Sequence, residues 1–149
     1  MKLEADFKEF ITCLNAHDVL YLIVGGYAVG AHGLPRGTKD LDVWVLAERE
    51  NADALMSALD QFGFGGVGLS SADFTHPGVV VQLGYAPMRI DILTSIDGVE
   101  FVDAYPLRMD GTIDGLRISF IGREQLIANK RAVGRRQDVA DADRLEGRE

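Results

Sequence analysis

Apolar residues along the chain switch between two periods, and the switches mark its elements. Phe7, Phe10, Ile11 and Leu14 recur at i, i+3, i+4 and i+7, which predicts an amphipathic helix from about Leu3 to Ala16. Leu20 to Val24 is a compact run of β-formers closed by Gly25-Gly26, the pattern of a buried strand. Tyr27 to His32 is short and alanine-rich and predicts about two helical turns, which Leu34-Pro35-Arg36-Gly37 interrupts. Asp40 to Leu46 then reads as a second strand.

Asn51 is placed to cap a helix from Ala52 to about Gln61, with Leu55, Met56 and Leu59 on its apolar face. Phe62-Gly63-Phe64-Gly65-Gly66 closes it, and Ser70 to Pro77 reads as a loop with one helical turn at Ser71 to Phe74. Val79 to Leu83 and Met88 to Thr94 predict strands, joined as a hairpin through Gly84-Tyr85-Ala86-Pro87. A turn at Asp97-Gly98 leads to a short strand near Glu100 to Ala104. Met109 to Gly115 is polar and glycine-punctuated, a surface loop or hairpin tip, before a strand from Leu116 to Ile121. Arg123 to Val133 predicts a helix ended by Gly134, and Asp138 to Leu145 a last one. The expected fold is α/β, a small mixed sheet backed by helices.

Composition narrows the class. A length of 149 residues predicts one domain spanning 1–149, large enough to bury a core unaided. Cys13 is the only cysteine, which rules out an intramolecular disulfide, and its helical apolar face predicts a small core residue. No apolar run reaches membrane-spanning length, and the start MKLEADF lacks a signal-peptide pattern, so a cytoplasmic protein is expected. A formal charge of −8 argues against non-specific nucleic-acid binding, while leaving small ligands or a defined RNA end open.

The chemistry concentrates on aspartates. Asp40 and Asp42 are two residues apart on a strand, roughly 6.6 Å along the backbone, and share a face. Carboxylates so placed repel at neutral pH unless a cation sits between them, and a hard divalent ion suits them. The plainer reading ends a loop at Asp40 and leaves Asp42 solvated. Asp91 stands in an otherwise apolar strand, where a buried carboxylate demands a cation or a hydrogen-bond partner. Arg89, on the same face, is the alternative partner to a metal. Lys130, Arg131, Arg135 and Arg136 form a basic group in an acidic protein. They could neutralise a triphosphate or pair with Asp138, Asp141 and Asp143 on a solvated face.

Gly25-Gly26, followed by Arg36-Gly37-Thr38-Lys39-Asp40-Leu41-Asp42-Val43, resembles the signature of the nucleotidyltransferase superfamily, which includes DNA polymerase β. Asp91, in Met88-Arg89-Ile90-Asp91-Ile92-Leu93, matches that family's third metal carboxylate. The likeness extends to small bacterial stand-alone nucleotidyltransferases, including AbiEii-like toxins of toxin–antitoxin systems. It runs through Val80 to Gly84, Ile96 to Phe101 and Asn129 to Arg135, covering most of the chain.

The resemblance implies transfer of a nucleoside monophosphate from a nucleoside triphosphate such as ATP to a hydroxyl acceptor. Asp40, Asp42 and Asp91 would hold Mg²⁺ or Mn²⁺, with Asp91 as general base. Gly25, Gly26, Arg36, Thr38 and Lys130 would hold phosphates. The acceptor is a tRNA end, a protein or a small molecule, and a cognate antitoxin is a possible partner. The alternative is a non-catalytic nucleotide-binding, regulatory or interaction protein on the same scaffold. Without a second domain to position a template, template-directed polymerisation is not expected.

Overall fold

The computed structural model describes residues 3–64, 68–84 and 89–147. Among these, six strands form one mixed sheet in the order β3-β4-β2-β1-β6-β5. The strands are β1 (Tyr21–Val24), β2 (Asp40–Val45), β3 (Val80–Leu83), β4 (Arg89–Leu93), β5 (Met109–Ile113) and β6 (Leu116–Phe120). β2 pairs with β4, and β1 with β6, in parallel; the remaining pairs are antiparallel. The helices are α1 (Ala5–Ala16), α2 (Gly25–Ala31), α3 (Arg49–Phe62), α4 (Phe101–Ala104), α5 (Arg123–Val133) and α6 (Arg136–Leu145). None is long and apolar enough to cross a membrane.

Strand alternation divides the interior into two cores. Tyr21, Ile23, Leu41, Val43, Ile90 and Ile92 face the first, where Phe7, Phe10 and Leu14 of α1 meet Leu55 and Leu59 of α3. Cys13 is buried there as a free thiol. Leu22, Val24 and Trp44 face the second core, which Leu126 and Ile127 of α5 and Ala142 and Leu145 of α6 complete. Asp40 and Asp42 have the phase of Trp44, so the acidic residues emerge on the face that α5 and α6 cover.

Three segments differ from the pattern-based reading. Glu100 to Ala104 is not a strand: Phe101–Ala104 is a helical turn continued by a 3₁₀ turn at Tyr105–Leu107. Phe101 and Ala104, three apart, both face the core, and Phe101 packs edge-on against Trp44 with ring centroids 5.0 Å apart. Met109 to Ile113 is a strand, and only Asp114-Gly115, both at positive φ, form the expected tip. Its polar character follows from its place at the sheet edge. Gly111 lets the Phe120 ring approach, since a Cβ there would lie 3.0 Å from Phe120 Cε2. Finally, Asn51 caps nothing. It is buried inside α3, accepts from Leu20 N–H at 2.8 Å, and donates to the Leu20 and Leu46 carbonyls at 3.0 Å.

Gly134 ends α5 in the left-handed conformation, as expected. β3 and β4 form the expected antiparallel pair. Residues 85–87 of their predicted connection lie outside the described residues, as do Gly65 and Gly66 of the predicted turn after α3.

Candidate active site

Register brings the acids together. In the parallel β2–β4 pair, Asp42 stands opposite Asp91 and Asp40 opposite Arg89. Side chains opposite one another in a parallel pair project to the same side, so all three carboxylates occupy one patch. Asp91 is mostly buried, its side chain 13% exposed, whereas Asp40 is 39% exposed.

The guanidinium of Arg89 lies among them. Its Nη2 donates to Asp40 Oδ2 at 2.9 Å and to Asp91 Oδ2 at 3.2 Å. Nε is 3.1 Å from Asp91 Oδ1, close enough for ion pairing but off the hydrogen-bond line, so this buried oxygen has no hydrogen-bond donor. With its amide oxygen turned inward, Gln82 accepts from Nε and Nη1 at 2.9 and 2.8 Å.

Asp42 is the electrostatically strained member. Burial, and then the charges of Asp91 and Asp40, push its carboxyl up to about 6 against the opposing pull of Arg89 and Lys130. Gly25 closes over it: φ is +69°, and a Cβ there would overlap Asp42 Oδ2. Gly26 is next to Thr38, where a Cβ would come within 2.9 Å of the Thr38 hydroxyl. Gly25→Ala is therefore expected to lower stability by about 1–2 kcal/mol through its left-handed backbone. It should also displace Asp42 and reduce any Asp42-dependent activity, as urea unfolding and parallel activity assays would show.

A cleft of about 440 Å³ opens beside Gly26, Tyr27, Arg36 and Thr38. The acids lie outside its lining, on β2 and β4. Three of the five residues expected to hold phosphates, Gly26, Arg36 and Thr38, thus line one space, and Gly25 instead packs on Asp42. Lys130 is elsewhere: buried on α5, it places Nζ 3.2 Å from both Asp138 and Asp141. Asp141 is fully buried and also accepts hydrogen bonds from Arg36 and from Gln137, the latter at 2.9 Å. Burial would raise the Asp138 and Asp141 carboxyls, but their hydrogen bonds outweigh it and hold both below the usual range.

Lys130, Arg131 and Arg135 of the basic group are thus paired with acids of α6 and its C-terminal end, as the alternative had it, but around Lys130 the pairing is interior rather than solvated. Arg135 bonds Asp138 at 2.7 Å, and Arg131 lies 3.0 Å from both Asp143 and Glu146. Gln82 and the role of Asp141 escaped the sequence. The available signal for the latter was Asp138 and Asp141 at helical spacing on the buried face of an otherwise charged helix.

Among the described residues, no three acidic, histidine or cysteine side chains are gathered closely enough to grip a metal ion as they stand. Asp40 and Asp91 are instead arranged around a guanidinium, a stand-in cation. The donor set still fits a hard divalent ion: three carboxylates, one with an orphaned buried oxygen and one with a raised pKa.

Comparison with solved structures places this architecture. A nucleotidyltransferase-like antigenic protein from Paracoccidioides brasiliensis superposes with a TM-score of 0.59 at 20% identity, over 96% of this chain and 77% of its own. A Thermotoga maritima protein described as a candidate nucleotidyltransferase gives 0.60 at 17% identity, over 95% and 88%. The antibiotic-resistance factor ANT(2″)-Ia, also solved in complex with adenylyl-2″-tobramycin, gives 0.55 in that complex at 15% identity, over 93% and 84%. No protein-family model and no curated protein sequence matches the chain. The fold is that of nucleotidyltransferase-like proteins: a mixed α/β architecture around a six-stranded sheet.

Proposed function

We propose that this protein is a metal-dependent nucleotidyltransferase, moving a nucleoside monophosphate from a nucleoside triphosphate to a hydroxyl acceptor. The observation that carries this reading is the β2–β4 register, which sets Asp40, Asp42 and Asp91 on one face beside the Gly25-Gly26 turn. Asp40, Asp42 and Asp91 would hold Mg²⁺ or Mn²⁺. Bound ions would neutralise charge on the attacking and leaving oxygens of the displacement.

The acceptor oxygen bonds to the α-phosphorus as the α–β anhydride bond breaks, and pyrophosphate leaves with that electron pair. Asp91 takes the acceptor's proton. Gly26, Arg36 and Thr38 line the space for the triphosphate, and Arg36 supplies a fork of donors suited to its oxygens. Lys130, expected from the sequence resemblance to hold phosphate, is held by Asp138 and Asp141 and contributes through its field on Asp42.

The net charge of −8 supports a small-molecule, protein or defined RNA-end acceptor over extended nucleic acid. ANT(2″)-Ia, captured with an adenylylated aminoglycoside, is a precedent for a small acceptor on this scaffold. A toxin role with a cognate antitoxin rests on the sequence resemblance alone; growth arrest on expressing this chain, relieved by a neighbour-encoded protein, would test it.

The reading is checked by incubating the protein with each α-³²P-labelled nucleoside triphosphate, Mg²⁺ or Mn²⁺, and cell extract separated into RNA, protein and small molecules. Label should enter one fraction and disappear with EDTA. Nucleotide binding without label in any fraction would favour a non-catalytic binding protein.

A further inference from the structure

The position of Arg89 raises a question that the proposed chemistry leaves open: what balances three converging carboxylates before an ion arrives. Arg89 bonds Asp40 on one strand and Asp91 on the next, at 2.9 and 3.2 Å, through the same Nη2. Its remaining edge is held by Gln82, which stands opposite Asp91 on the third strand. The guanidinium is thus fixed from three strands and spans the acids that a divalent ion would need.

We propose that Arg89 is the resident counter-cation of this site and competes with the divalent ion for Asp40 and Asp91. It holds the acids together in the ion-free protein and sets the affinity at which an ion displaces it. The inference rests on the metal-binding reading above. Its physical basis is charge exchange. Two cations on one pair of carboxylates repel, so binding an ion requires the guanidinium–carboxylate contacts to loosen, and that loss is subtracted from the ion's binding free energy. Gln82 gives the guanidinium a neutral acceptor that it keeps when the acids are taken.

Arg89→Gln removes the competing charge, and Arg89→Lys keeps it. By Mn²⁺ titration followed by electron paramagnetic resonance, Arg89→Gln should bind Mn²⁺ roughly tenfold more tightly than the wild type. Arg89→Lys should stay near the wild-type affinity. In EDTA, Arg89→Gln should melt below the wild type, because the acids then repel without a counter-charge, and Mn²⁺ should close that gap.

If Arg89→Gln fails to fold even with Mn²⁺, the wild type still decides. Its Arg89 Nη resonance, identified by its absence from Arg89→Lys, should move on titration with diamagnetic Mg²⁺, because Nη2 carries the bonds to Asp40 and Asp91. Equal Mn²⁺ affinity in wild type and Arg89→Gln, or an unmoved resonance at Mg²⁺ saturation, overturns the proposal while leaving the metal site intact. Absence of Mn²⁺ binding in every form, with or without ATP, overturns the metal reading as well.

Discussion

Asparagine in place of Asp42 is expected to stabilise the protein at pH 7.5 while abolishing nucleotidyl transfer. Asp42 is partly buried beside Asp91 and Asp40, and its carboxyl rises from 3.8 to about 6 in the folded state. A raised carboxyl pKa means the native state holds the proton more tightly than the unfolded chain. The stabilisation this gives is complete below the unfolded value near 4 and is lost as pH rises through about 6. At neutral pH the charged side chain therefore costs about 3 kcal/mol, an upper figure for what asparagine can recover. Thermal melts in EDTA should show Asp42→Asn above the wild type at pH 7.5 and level with it near pH 4. A variant less stable than the wild type at pH 7.5 would show that Asp42 is an ordinary structural carboxylate. A residue that weakens its own fold and is needed for turnover has the signature of a functional site.

Asp141→Asn should do the opposite, reducing stability and function together. Asp141 is completely buried and joins Arg36 of the cleft to Lys130 of α5, with Gln137 completing its shell. Removing one partner from a buried ionic cluster leaves the others uncompensated, typically at about 3–5 kcal/mol. For a chain of this length that is a fall of roughly 10 °C in melting temperature. The linkage sign also reverses. The Asp141 and Asp138 carboxyls are held below the usual range, so their stabilisation is present above the unfolded value and lost as pH falls through the lower native values. Asp141→Asn should flatten that acid limb. Because Arg36 loses its anchor, KM for the nucleotide should rise more than kcat falls, which melting and initial-rate measurements would separate.

The elements that place the acids were readable from the chain because they follow simple periods. The Leu20–Val24 run, the glycine step and the alternation of Asp40 and Asp42 each depend on a few adjacent residues, and the sheet kept all three. What failed was short and context-dependent. Glu100 to Ala104 is too short for its period to declare itself, and the burial of Phe101 against Trp44 together with Ala104, three residues on, belongs to a helical turn. Met109 to Ile113 looked like a loop because an edge strand need bury only part of itself. Lys130 shows the limit for site residues. Its charge suggested a phosphate or an aspartate partner on a solvated face, and only the folding of α6 against α5 reveals that Asp138 and Asp141 hold it in the interior. Arg89 was legible as a partner for Asp91, yet its bridge to Asp40 depends on strand register, which no local pattern carries.

The central claim is that these acids support transfer of a nucleotidyl group, and the position of the label in the donor tests it most directly. The protein, with Mg²⁺ and the responsive extract fraction, would be given the same triphosphate labelled at either the α- or the γ-phosphorus. The account predicts that α-label enters the acceptor, γ-label leaves as pyrophosphate, and Asp42→Asn does neither. Transfer of γ-label to the acceptor, or α-transfer that survives Asp42→Asn, would contradict it.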